Sequence, residues 1–338
     1  MKVNLYQLIK NEKNIYVKVN PSFKNKLFEG IKTNFKTLSN YQKTKMKEIK
    51  YATISHLFNY GKYDSLQLLL KIVKDLNLDE EDIFNEIIAF RLSGSRVETY
   101  LPRYLEIDKE LVKAFSLYLA EGDTGLNGKT IPSKVRFTNS ELPIILYFKK
   151  VLLNYFKQKE ENLKYYIYLP KNNNLTKTDF IKDLNTPQEN LHLYVDKSVT
   201  VPKYRLSLER KIILMIILKL NDLIKDLCLK DKELASAYLE GISAGEGTAY
   251  CKKMKYIRIE MKNEKEMKYI SSLFKLIDIN HKLYERNTRK GMWCLYISKK
   301  ENIFNFNELV SFNLCKPRQE ILDNIVNYYS SPSQLLKL

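Results

Sequence analysis

The stretch Leu239-Glu240-Gly241-Ile242-Ser243-Ala244-Gly245-Glu246-Gly247 decides the fold. Its apolar spacing is helical, yet it holds two glycines four residues apart. A glycine inside a helix costs ~1 kcal/mol against alanine, so the pair needs a packing reason. Gly241 and Gly245 fall on one helical face. Small residues at that spacing let a second helix backbone approach closely. The segment ends in Glu246-Gly247, and the glycine suits the left-handed position that closes many helices. An acid in the last turn faces the negative end of the helix dipole, which makes sense if a cation sits beside it.

A matching helix lies upstream. Ala114-Phe115-Ser116-Leu117-Tyr118-Leu119-Ala120-Glu121-Gly122 carries Ser116 and Ala120 at the same spacing and the same Glu-Gly ending. Both copies are led by the same tetrad, Asp108-Lys109-Glu110-Leu111 and Asp231-Lys232-Glu233-Leu234. The correspondence continues downstream. Val135-Arg136-Phe137-Thr138-Asn139 precedes an apolar helix over 142–153, and Ile257-Arg258-Ile259-Glu260-Met261 precedes one over 265–276. Tyr204-Arg205-Leu206-Ser207-Leu208 answers Trp293-Cys294-Leu295-Tyr296-Ile297, and each is followed by a further helix. Helix, strands, helix, strands, helix, twice over, predicts a duplicated α+β body with antiparallel sheets. The first copy carries an additional polar stretch over 171–190, expected to be a loop insertion.

Packing the two Glu-Gly helices together would bring Glu121 and Glu246 side by side. Two carboxylates and two helix C-termini, at Ala120, Gly122, Gly245 and Gly247, make a hard-oxygen site suited to Mg²⁺.

Both nine-residue segments resemble the LAGLIDADG motif of homing endonucleases and RNA maturases. The second is similar to the form ending in GEG, and the first to the YLAEG variant. The resemblance covers roughly residues 100–330, and two motifs in one chain resemble the monomeric, pseudo-twofold members. It implies an αββαββα fold in each half, with two sheets forming a saddle along the DNA major groove. It implies that the catalytic, metal-holding acids are Glu121 and Glu246, the eighth position of each motif. Asp123 lies two residues out of register. Mg²⁺ or Mn²⁺ is the cofactor expected from the resemblance, and double-stranded DNA the partner. Family members carry a basic residue shortly before the last helix of each half. Lys316 fits that place in the second half and Lys230 is its counterpart in the first.

The strand and hairpin segments are rich in residues that meet DNA. The first half offers Lys129, Lys134, Arg136, Lys197, Lys203 and Arg205. The second offers Lys252, Lys253, Lys255 and Arg258, then Lys282, Arg286, Arg289 and Lys290 near the hairpin 282–290. Arginine can read guanine edges bidentately, while lysine mainly meets phosphate.

Composition agrees. Lys plus Arg exceed Asp plus Glu, 57 against 39, a net charge of +18 that favours a polyanionic partner. No apolar run approaches the roughly 20 residues of a membrane span. The N-terminus has no secretory h-region, and the chain ends show no splicing-junction residues. A cytoplasmic, nucleoid-associated protein is expected. Cys228, Cys251, Cys294 and Cys315 form no CxxC pair, and three histidines are too few for a histidine metal site. No nucleotide-binding glycine loop is present.

The expected domains are 1–98, 99–229 and 230–338. Residues 1–50, with 12 Lys and 3 Glu, read as a basic, partly folded lead segment. Residues 50–92 read as short helices, including one through Ile83, Ile87 and Ile88, and the turn Asn59-Tyr60-Gly61 suggests a helix-turn-helix. The principal expectation is a site-specific double-strand endonuclease. The alternatives are an RNA maturase acting on its own intron RNA and a non-cleaving transcription regulator.

Overall fold

The computed structural model describes residues 1–123, 133–171 and 175–331. The two motif helices, Lys109–Glu121 and Lys232–Glu246, pack on each other at the centre of the molecule. Each begins at its DKEL aspartate. The Asp108 carboxylate accepts from Leu111 N at 2.9 Å, and Asp231 accepts from Glu233 N and Leu234 N at 2.8 and 3.1 Å. The repeated tetrad is thus a pair of N-caps, which satisfy backbone donors that the first helical turn leaves without partners.

Each half wraps its helix with a four-stranded sheet. In the second half the order is Gly247–Cys251, Lys255–Met261, Trp293–Ile297, Lys282–Glu285, all antiparallel. In the first half the order is Val135–Asn139, Lys203–Leu208, Leu163–Leu169, Leu191–Val195. Helices Leu142–Asn154 and Glu264–Leu276 hold equivalent places in the two halves. The fold is α+β and duplicated, and strands such as Val135–Asn139 and Leu163–Leu169 alternate buried with half-buried residues, as a one-sided sheet requires.

The polar stretch after Leu169 differs from the expected loop. It contains the helix Lys177–Leu184 and returns as Leu191–Val195, which pairs parallel to Leu163–Leu169. A parallel neighbour needs a crossover of this length, so the insertion builds an additional edge strand. The halves also end differently. The first closes with one long helix, Lys211–Cys228, while the second breaks after Lys300–Leu309 and adds Lys316–Ser330.

The N-terminal region is more structured than its composition suggested. Strand Ile15–Val19 is the centre of a three-stranded antiparallel sheet with Asp64–Ser65 and Ile87–Leu92. Around it stand helices Pro21–Phe35, Leu38–Lys45, Tyr51–Asn59, Leu66–Asp75 and Glu80–Glu86. The expected helix through Ile83, Ile87 and Ile88 stops at Glu86, and the apolar run that follows pairs as a strand. Sheet partners outcompete the helical spacing there because Ile87–Leu92 is rich in β-branched and aromatic residues. Strand Lys2–Asn4 pairs with Tyr104–Glu106, across the expected boundary at residue 98. Among the described residues no helix is long and apolar enough to cross a membrane.

Candidate active site

The helix pair is as close as its small residues allow. A β-carbon on Gly245 would stand 2.6 Å from that of Ala120 and 3.2 Å from Glu121 Cγ. One on Gly241 would collide with Ser116 Oγ and the Lys113 carbonyl. Ser116, Ala120, Gly241 and Gly245, the four interface residues expected from sequence, all meet at this crossing. Lys113 and Glu240 add an ion pair between the helices at 3.0 Å.

The terminal glycines have a different role from the one their type suggested. Gly122 and Gly247 are extended, with φ of −85° and −82°, so neither needs left-handed backbone. They are required by space. A β-carbon on Gly122 would lie 2.5 Å from Tyr118 ring atoms, and one on Gly247 would lie 2.6 Å from Phe312 Cε1. The chain leaves each helix by turning at once into its sheet, where Gly122 bridges to Phe137 and Gly247 pairs with Ile259.

Glu121 and Glu246 end the two helices, half-buried. Burial and then the charge of Glu246 push the Glu121 carboxyl up to about 7, against the smaller pull of Arg318 and Lys203. Burial also raises Glu246, again opposed by Arg318. Two acids with raised proton affinity at one place are short of positive charge, which a divalent cation would supply. The donor set therefore fits a hard cation held by Glu121 and Glu246. No group of three His, Cys, Asp or Glu forms among the described residues, so carbonyls or water would complete the shell. The Gly245 carbonyl, one of the expected oxygen donors, accepts instead from Arg318 at 3.0 Å.

Arg318 is a basic residue acting on both acids, and sequence reasoning missed it. Its Nη1 also donates to the carbonyls of Ser243, at 3.2 Å, and Ala244, at the C-terminal end of the second motif helix. It sits in the first turns of Lys316–Ser330, the helix without a counterpart in the first half. Lys316, the expected candidate, projects from the same turn into solvent with its side chain 84% exposed and pairs with Glu320 at 4.0 Å. One helical turn cannot aim residues two apart in the same direction. Lys230 is exposed in the turn before the second motif helix. Asp123 pairs with Arg136 at 3.3 Å.

The expected DNA-facing residues separate into two kinds. Lys197, Lys203, Lys252, Lys253, Lys282, Arg289 and Lys290 are exposed. The arginines on or next to the strands are held by neighbours: Arg205 donates to Tyr168 Oη at 2.7 Å and Thr138 Oγ1 at 3.3 Å, and Arg286, just after Lys282–Glu285, donates to Glu260 at 2.8 Å. Arg258 also pairs with Glu260, at 3.5 Å, and Lys134 with Glu209 at 3.5 Å. Lys255 falls on the opposite face from Arg258 and lies over the Tyr328 ring. Lys129 lies outside the described residues.

The open sheet faces also carry rows of tyrosine. Tyr166 stacks on His192 with centroids 5.0 Å apart, and Tyr194 stacks on Tyr166 and Tyr168. On the second sheet Tyr250, Tyr256 and Tyr296 follow one another at 4.9 Å. The signal was present in the alternation of Lys164-Tyr165-Tyr166-Ile167-Tyr168-Leu169.

Residues 233–311 match the family described as LAGLIDADG-like domain. No curated protein matches the chain. Among solved structures, I-DmoI in complex with DNA and Mn is 17% identical, covering 60% of this chain and 97% of that one, with a TM-score of 0.36. Full-length DUF199/WhiA from Thermatoga maritima is 17% identical, covering 68% and 65%, with a TM-score of 0.36. The N-terminal LAGLIDADG domain of DUF199/WhiA is 17% identical, covering 60% and 84%, with a TM-score of 0.32.

Proposed function

We propose that this chain, a LAGLIDADG-family protein by its domain at 233–311, is a site-specific endonuclease that cuts both strands of duplex DNA. The observation that carries the reading is the meeting of two half-buried glutamates at the ends of two tightly crossed helices. A binding protein has no use for such carboxylates next to phosphates.

Glu121 and Glu246 would each address one scissile phosphate and together hold Mg²⁺ or Mn²⁺. The bound cation supplies Lewis-acid stabilisation of the phosphate oxygens and lowers the pKa of the attacking water. Arg318 keeps both acids closer to their ionised state and adds positive charge where the phosphate gains negative charge. The open sheet faces would lie along the major groove, with exposed lysines on phosphates and the pre-oriented Arg205, Arg258 and Arg286 toward bases. Because both motifs stand in one chain, a monomer has a complete site and can read an asymmetric target.

The test separates binding from cutting. Glu121→Gln and Glu246→Gln should each abolish double-strand cleavage in Mg²⁺ and leave affinity for duplex DNA within about threefold, since neither loses a contact made in binding. Cleavage by the double variant at the wild-type rate would remove the assignment.

A second reading, binding of structured RNA in the manner of a maturase, rests on the stacked tyrosines. Half-buried tyrosine rows on a basic sheet, with Tyr194 exposed at one edge, suit unstacked bases, a mode common for single-stranded RNA. Tyr166→Ala with Tyr256→Ala would then weaken RNA binding far more than duplex DNA binding. Equal or negligible effects on both would dispose of this reading.

A further inference from the structure

Helices Leu38–Lys45 and Tyr51–Asn59 pack on each other across a short turn, residues 46–50. The turn is tied from within. Met46 is buried, its N–H donates to Gln42 O at 3.1 Å, and Gln42 Nε2 donates to Ile49 O at 2.9 Å. Below the pair, Tyr41 is buried with its hydroxyl on Asp75 at 2.9 Å. This helix pair lies ahead of the turn that the sequence pattern suggested.

The second helix buries little of itself. Ile54 and Leu57 point inward, while Tyr51, Ala52, Thr53, His56 and Asn59 face solvent. Around that face residues 36–62 hold six lysines and a single acid, Glu48, which is taken up by Lys71. Lys43, Lys45, Lys47 and Lys50 are all exposed. A nine-residue helix with short polar side chains on its outer face, flanked by lysines, complements the major groove of duplex DNA in width and charge.

We infer that Leu38–Lys45 and Tyr51–Asn59 form a helix-turn-helix that docks on duplex DNA, with Tyr51–Asn59 in the major groove. Thr53, His56 and Asn59 reach base edges, and Lys47 and Lys50 meet phosphates at the entry to the groove. This surface is separate from the paired glutamates. It would add its own block of sequence to whatever the sheets read.

The experiment compares the full chain with the variant Lys47→Ala/Lys50→Ala/Thr53→Ala/His56→Ala. The probe is a random-sequence duplex library, with bound molecules sequenced and affinity measured against salt. The selected consensus should lose one contiguous block. Affinity should fall about tenfold at physiological salt, and the slope of log K against log salt should flatten by about 2, one for each lost phosphate contact. A milder variant, Thr53→Ala/Asn59→Ala, keeps every lysine and should lose the same block without changing the slope. Circular dichroism checks that both are folded.

An unchanged consensus and slope would overturn the inference. So would a loss of affinity confined to a structured RNA probe. The readout is binding, so a chain that never cuts DNA can still satisfy it. A chain that cuts with an unaltered consensus in the variants fails this inference alone.

Discussion

Gly245 faces Ala120 so closely that a β-carbon on the glycine would lie 2.6 Å from the alanine's. The two residues hold the same place in their motifs, each one position before the glutamate. Gly241 and Ser116 repeat the relationship one turn earlier. The axis relating the halves therefore runs between residues that touch, and the acids are brought together because these positions are small.

Gly241→Ala tests that geometry. The new methyl would meet the Lys113 carbonyl, which belongs to a helix backbone and cannot step aside. Overpacking of this kind costs ~1–3 kcal/mol. A denaturant titration should show a loss of that size. Ser116→Ala, which empties space instead of filling it, should change stability far less.

Glu121 predicts a pH dependence of stability. Its carboxyl titrates at about 7 in the folded chain, whereas an unfolded glutamate titrates at about 4.3. A group that holds its proton more tightly when folded stabilises fully below the unfolded value. That contribution is lost as pH rises toward the folded one. Glu121→Gln does not titrate, so in metal-free buffer its stability advantage over wild type should grow by ~1–3 kcal/mol between about pH 4.5 and 7.5. Tm values across that range would show it. A difference that does not change with pH contradicts the burial of this acid.

Arg318 and Lys316 stand two residues apart and should behave differently. Arg318→Met removes the charge that opposes the raised proton affinity of both glutamates and frees the carbonyls of Ser243, Ala244 and Gly245. The midpoint of the rise in cleavage with pH should move upward, and the maximal rate should fall at least about tenfold, since one preorganised cationic donor contributes ~1.4 kcal/mol or more. Lys316→Met should leave the pH midpoint where it is. The reverse pattern would return the role to Lys316.

Much of this was legible in the sequence. The repeat, the crossed helices and the glutamates could be read because they depend on local pattern: glycines four apart, a shared N-cap tetrad, a shared ending. The C-terminal glycines were read for the wrong reason, because residue type suggests a left-handed turn. The real constraint is space: a β-carbon would meet the carbonyl oxygens of Tyr118 and Ser243, four residues back, together with the Tyr118 and Phe312 rings. Arg318 was hidden within Lys316-Pro317-Arg318, where only the direction of the helix decides which side chain faces the site. Strand Ile87–Leu92 was hidden for a similar reason, since its partner Ile15–Val19 lies some seventy residues away and apolar runs this short do not distinguish helix from strand.

The most direct test of the central claim is to sequence the ends produced when the full chain meets a complex duplex DNA library in Mg²⁺. Parallel reactions hold Ca²⁺ in place of Mg²⁺, or the double variant Glu121→Gln/Glu246→Gln. The paired glutamates predict one enriched cut site that disappears in the variant and in Ca²⁺. Ends from the double variant that match wild type in site and yield, or no enriched site with wild type under any divalent metal, would contradict it.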